Sequence, residues 1–145
     1  MINVYIDGAS RGNPGEAGIG ILMKTGDGDT IFSAAGYAGK MTNNQAEYNA
    51  LIAALTKLKK SHQTHSGQSN TTLITIFSDS ELVVKQLNGQ YKVKEPELKK
   101  LHEIVRKLMG EISAKIEFKH IRREQNREAD RLANAGIDSK IPLTL

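Results

Sequence analysis

Apolar and polar residues alternate from the first residues of the chain. Ile2, Val4 and Ile6 fall on one side of a period-two pattern and Asn3, Tyr5 and Asp7 on the other, which predicts a strand ending at Asp7 with Gly8 starting a loop. Two more strands are predicted near residues 18–23 and 30–38, set apart by RGNPGEAG and TGDGD; three strands joined by short turns read as a meander. From Thr42 to Leu58 the period lengthens to that of a helix, with Leu51, Ala54, Leu55 and Leu58 as its buried stripe. Thr42 followed three residues later by Gln45 resembles a capping box. LITIF, residues 73–77, is β-branched and aromatic and predicts a strand, after which Leu82, Val83, Val84 and Leu87 resume helical spacing. EPELKKLHEIVRKLM predicts a helix with Pro96 in its first turn and Leu98, Leu101, Ile104, Val105 and Leu108 inward. KIEFKH, residues 115–120, predicts the last strand. REQNREADRLANAG predicts a final helix with a small-residue face of Ala129, Leu132, Ala133 and Gly136. The polar stretch 61–70 reads as a loop whose two histidines are exposed. The order βββαβααβα over 145 residues predicts a single α/β domain with no internal repeat.

Four acids stand at or near changes of element. Asp7 sits at the predicted end of the first strand, although an Asp-Gly pair reads equally as a hairpin turn. Counting back four from Leu51 lands on Glu47, so a carboxylate falls on the apolar stripe of its helix, where an unpaired charge is costly unless it meets a cation or a proton. Its place near the helix N-terminus also suits the macrodipole without any further role. Asp79 follows a strand and precedes a helix, the position at which open α/β sheets bind ligands, and either Asp79 or Ser80 could cap that helix. Asp130 borders the small-residue face of the last helix, where solvation alone would account for it. Together the four suggest a different reading. Carboxylates about 4 Å apart repel by about 4 kcal/mol at an effective dielectric of 20, and a divalent cation relieves that.

Composition narrows the chemistry. There are no cysteines, so disulfides and thiolate zinc sites are excluded, and the four histidines lack a metal-ligand spacing. Oxygen ligands remain, and they suit magnesium or manganese. No apolar run approaches the about 18 residues of a membrane span, and the chain enters its first strand without a leader; a soluble cytoplasmic protein is the expectation. The formal charge is +4, unevenly spread. Residues 1–81 carry six Lys or Arg against seven acids, and residues 82–131 carry thirteen against eight. The second half therefore suits phosphates, although mixed-charge solvated helix faces would show the same excess. With 5% aromatic residues and no Trp, extended base stacking is not expected.

DGASRGNPGEAGIG, TNNQAEYNAL, FSDSELVV and REQNREADRLAN occur in the order and with roughly the spacing found in ribonuclease HI, and the chain resembles that family over about residues 1–137, with a short tail at 138–145. The resemblance is to the compact form, without a hybrid-binding domain or a Trp-containing basic protrusion. It implies an RNase H-like fold, a five-stranded mixed sheet flanked by helices. It further implies hydrolysis of the RNA strand of RNA/DNA hybrids at two divalent ions, Mg2+ or Mn2+, held by Asp7, Glu47, Asp79 and Asp130. By the same resemblance Gly8 belongs to the substrate surface, Asn43, Asn44 and Gln45 lie along the hybrid's minor groove, and Thr42 and Asn13 form a phosphate pocket on the DNA side. Amide side chains suit a groove lined by 2′-hydroxyls, since both donate and accept.

The chain departs from the family pattern at two places. Some members carry a mobile His before the last acid, assigned to product release; here the candidates are His120, Arg123 and Glu124, ten, seven and six residues before Asp130, and because His120 is expected to close the last strand, Arg123 is the expected residue with His120 as the alternative. Glu81 stands where members often carry Gln, and an acid there would repel phosphate or require a cation. A hybrid-binding protein that has lost effective turnover is therefore a second reading, and a proofreading exonuclease of the same broad fold a third, against which the NNQ helix start and the GNPG loop argue. Nothing in the sequence demands a dimer.

Overall fold

The computed structural model describes residues 1–61 and 72–145; of the predicted polar loop 61–70, Ser61 instead closes the first helix, and the rest, with its two histidines, lies outside the described residues. Five strands form one mixed sheet in the order β3-β2-β1-β4-β5: β1 (Ile2–Gly12), β2 (Gly15–Thr25), β3 (Thr30–Met41), β4 (Leu73–Ser78) and β5 (Lys115–His120). The first three pair antiparallel, and β4 and β5 join in parallel on the other side of β1. This is the expected five-stranded mixed sheet with its meander. The helices are α1 (Asn43–Ser61), α2 (Glu81–Leu87), α3 (Pro96–Gly110) and α4 (Arg127–Ser139), in the predicted order.

The first strand does not end at Asp7. It runs five residues further because Asp7 to Gly12 stay paired with Gly20 to Gly15 of β2. The alternation fades there because the strand end is partly solvated, not because the ladder stops. Pairing with β4, by contrast, covers only Ile2–Tyr5 against Ile74–Phe77. Asp7 thus lies two residues past the last β1–β4 pair, beside the carboxyl end of β4. From β1 the chain turns to β2 and on to β3 on one side, and from β3 α1 carries it across to β4 on the other side of β1. That divergence is the switch-point crevice of open α/β sheets.

Alternation along β1 sends Val4 and Ile6 into the core beneath α1, with Ile21, Met23, Leu51, Leu55, Ile74 and Ile76. α3 packs on α1, and only one stripe of it is covered: Leu98, Leu101, Val105 and Leu108 meet the core, whereas Ile104, expected inward, is 45% exposed. Ile104 lies one residue, and so about 100° of helix rotation, away from Val105 and off the stripe that faces α1. α4 packs on β1, β2 and β3 through the predicted small-residue face, of which Ala129, Ala133 and Gly136 are buried and Leu132 is only half-buried. The approach is backbone to sheet. A Cβ on Gly20 would collide with the Ala129 carbonyl oxygen, and one on Gly136 with the Gly36 backbone. Beyond α4 the chain returns to the edge of β3, where the Tyr37 amide donates to the Ile141 carbonyl at 2.8 Å and Leu143 joins the partly buried apolar residues.

Candidate active site

Each of the four acids reaches the crevice by a different local device. Asp7 is brought by the continued pairing of β1 and is 5% exposed. Glu47 comes from the first turns of α1, which the capping box starts: the Gln45 amide donates to Thr42 Oγ at 3.2 Å and the Thr42 amide to Gln45 Oε1 at 2.9 Å. α1 can lie against β1 because residue 8 is glycine; a Cβ there would overlap the backbone of Ala46 and Glu47. Asp79 follows β4. Ser80, not Asp79, caps α2, accepting from the Val83 amide, so the Asp79 carboxylate stays free for the crevice. Asp130 occupies the first turn of α4.

Oxygens of Asp7, Glu47 and Asp79 all lie within 4.8 Å of one another. Asp130 lines the same cavity, of about 510 Å³, beside Asp7. Burial drives the Asp7 carboxyl up to about 9, with Glu47, Asp79 and Asp130 adding to the rise. Burial likewise pushes Glu47 up to about 8, although the Ser78 hydroxyl and the Gly8 amide pull it down. Those two donors occupy both Glu47 oxygens: Ser78 Oγ donates to Oε1 at 2.7 Å and Gly8 N to Oε2 at 2.8 Å. Two buried carboxyls that resist ionisation, in an all-oxygen donor set, fit a hard divalent cation whose charge would let both ionise.

A second cavity, of about 470 Å³, adjoins the first through Asn44, which lines both. Around it several acceptor atoms are already engaged. Asn13 Oδ1 accepts from the Asn43 amide at 3.0 Å, Thr42 Oγ and Gln45 Oε1 serve the capping box, and Gln86 Oε1 accepts from the buried Tyr48 hydroxyl at 2.7 Å. Glu95 is held by the Glu97 and Leu98 amides at the start of α3. What these side chains still offer is donors, joined by Lys92 and Lys94. A cavity with donors left over and several acceptors engaged is suited to an anion.

The predicted site residues therefore divide between the cavities. Gly8, Asn43 and Asn44 border the acidic one and Asn13, Thr42, Asn44 and Gln45 the donor-lined one. Arg123 lines the acidic cavity, with Nη2 3.9 Å from Asp130 Oδ1, whereas His120 closes β5, is exposed and lines neither. Glu81 pairs with Lys85 at 2.8 Å, one turn along α2, which offsets its charge. Sequence reasoning missed Ser78, Gln86, Lys92, Lys94 and Asn126. The alternation of Lys92 and Lys94 just ahead of a helix start was an available signal; the others are ordinary polar residues until their contacts are known.

The reverse transcriptase-like family matches residues 5–136. Ribonuclease HI of Halobacterium salinarum is 37% identical over 137 residues, covering 94% of this chain and 64% of that protein. The bifunctional protein Rv2228c of Mycobacterium tuberculosis is 40% identical over 137 residues, again 94% of this chain but 35% of the longer protein. The chain thus spans less than two thirds of these relatives. Among solved structures, LC11-RNase H1 in complex with an RNA/DNA hybrid superposes with a TM-score of 0.87 at 40% identity, covering 96% of this chain and 98% of that one.

Proposed function

This chain belongs to the ribonuclease HI family, and on that premise we propose that it is a metal-dependent endoribonuclease that hydrolyses the RNA strand of RNA/DNA hybrids. The observation that carries the proposal is the convergence of buried Asp7 and Glu47 with half-buried Asp79, from three separate parts of the fold, at the switch point of the sheet, with Asp130 alongside. These four carboxylates would hold two divalent ions, Mg2+ or Mn2+. When bound, such ions supply an activated water and stabilise the departing 3′-oxygen.

The chain's own residues supply orientation. Ser78 and Gly8 fix the Glu47 carboxylate from behind, so its remaining lone pairs face the cavity. Asn43 is pinned in turn, its Oδ1 accepting from the Ser10 amide at 3.0 Å, which leaves its NH2 as a donor toward the groove. The donor-lined cavity takes a phosphate of the DNA strand, with Asn13, Thr42 and Gln86 as neutral donors and Lys92 and Lys94 as charges. Asn44, on the wall common to both cavities, lies where the hybrid's minor groove would cross. Amides that read 2′-hydroxyls on one side and a phosphate pocket on the other would orient the hybrid so that RNA meets the acids. Arg123 faces the cavity from its rim and is the residue assigned to product release.

Cleavage of matched labelled RNA/DNA, RNA/RNA and DNA/DNA duplexes, with Mg2+ and with EDTA, tests the proposal. RNA-strand products from the hybrid in Mg2+ alone are expected, and Asp79→Asn should remove them. Hybrid binding without any metal-dependent cleavage would favour the reading of a binding protein that has lost turnover.

A further inference from the structure

Asparagine is favoured at a helix N-cap because its side-chain oxygen accepts from the free amides of the first turn. Asn126 holds that position at the start of α4, yet its side chain makes no capping bond. It turns inward instead and is 1% exposed. Its Nδ2 donates to the Ile6 carbonyl at 2.9 Å and to Asp79 Oδ2 at 3.3 Å, while its Oδ1 is buried without a partner. Both the forgone cap and the unpaired carbonyl weaken the fold. Against these costs stand the two bonds that Nδ2 makes, to the strand of Asp7 and to Asp79 itself.

We propose that Asn126 is a positioning residue of the metal centre, holding the Asp79 carboxylate at a fixed distance from the strand that carries Asp7. The inference rests on the reading that the four acids bind divalent ions. Two acceptors face this side chain, and an amide NH2 carries two hydrogens on one atom; serine or threonine offers one. The backbone of the same residue extends the hold. The Asp130 amide donates to the Asn126 carbonyl at 3.0 Å, and the Asn126 amide to the Arg123 carbonyl at 3.0 Å. One buried residue thus links the neighbour of Asp7, the side chain of Asp79 and the helical turn of Asp130. Without it Asp79 is free to swing, and the ions lose a pre-set oxygen. Residues that orient ligands in this way are typically worth roughly 10–100-fold in metal affinity.

Asn126→Ser separates positioning from structure, because serine is as good an N-cap and is free to act as one. In EDTA it should stay folded, with a melting temperature within roughly 5 °C of the wild type, the cap it gains offsetting the bond that the Ile6 carbonyl loses. Mn2+ affinity by calorimetry should fall roughly 10–100-fold, and the metal concentration giving half-maximal hybrid cleavage should rise by the same factor. KM for the hybrid at saturating metal should stay within about twofold, since Asn126 lies behind the acids and away from the donor-lined cavity. Asn126→Ala is read in the same way if the serine variant folds poorly. Wild-type Mn2+ affinity in either folded variant overturns the assignment. A wild-type protein that binds no Mn2+ overturns the metal-centre reading itself, a distinct result.

Discussion

Glu47→Gln is expected to stabilise the metal-free protein while abolishing cleavage. Glu47 is 2% exposed, and burial pushes its carboxyl from 4.5 up to about 8. A group whose pKa is higher folded than unfolded favours the folded state fully below the unfolded value, and that advantage is lost as pH rises through the folded value. At pH 7, which lies 2.5 above 4.5, the loss amounts to about 3 kcal/mol, at about 1.4 kcal/mol per pH unit. A glutamine at this position would carry no such penalty. Its NH2 must face Ser78, whose hydroxyl now donates to Oε1 and would have to accept; reversing that bond costs about 1 kcal/mol. The net gain is about 2 kcal/mol at pH 7, or roughly 5 °C in melting temperature for a chain of this size. Below pH 4.5, where both side chains are neutral, only the reversed bond remains and Glu47→Gln should be about 1 kcal/mol less stable than the wild type; the gain should reach its limit above pH 8. Urea denaturation in EDTA at pH 4, 7 and 9 measures this directly. Adding Mg2+ should reverse the order, because only the wild type gains a bound ion. A destabilised Glu47→Gln protein at pH 7 in EDTA, or an effect independent of pH, would refute the assignment of Glu47 as a buried carboxyl held for a cation.

Four further outcomes are expected. Gly20→Ala should cost about 1–3 kcal/mol in urea denaturation, because the new Cβ meets backbone of α4 and forces the helix to shift, and cleavage should fall with it as Asp130 is displaced. Removing Ile141–Leu145 should lower stability by about 1–3 kcal/mol, from Leu143 and the Tyr37 bond, with cleavage at 25 °C unchanged. Replacing Lys92 and Lys94 together by Ala should raise KM for the hybrid and flatten the dependence of log affinity on log salt by roughly 1 to 2, with kcat preserved. Asp79→Asn should bind hybrid in EDTA at least as tightly as the wild type by fluorescence anisotropy, since one carboxylate facing the phosphates is gone; weaker binding would mean that Asp79 supports the groove by structure and not by charge.

Much of this architecture was legible because it rests on short-range periodicity. The alternation of Val4 and Ile6 against Tyr5 and Asp7 is the two-sided sheet itself, and Leu51, Ala54, Leu55 and Leu58 are all buried as their spacing required. Glu47 could be singled out by counting along that stripe, and the Thr42 and Gln45 box by its spacing of three. Where reading failed, the information lay in a partner. β1 outlasts its alternation because β2 pairs with it to Gly12, and Ile104 is exposed because it lies off the stripe of α3 that faces α1. The supports of the acids are more distant still: Ser78 meets Glu47 across 31 residues of chain, and Asn126 meets Asp79 across 47 and Ile6 across 120. Carboxylates on an apolar stripe or at a strand end are conspicuous because they break a local rule. A serine inside a strand or an asparagine before a helix obeys every local rule, so only the fold can reveal that its hydrogens point at an acid. For that reason the outer shell of such a site is the part a pattern-based reading systematically omits, and the part in which substitutions such as Asn126→Ser are most informative.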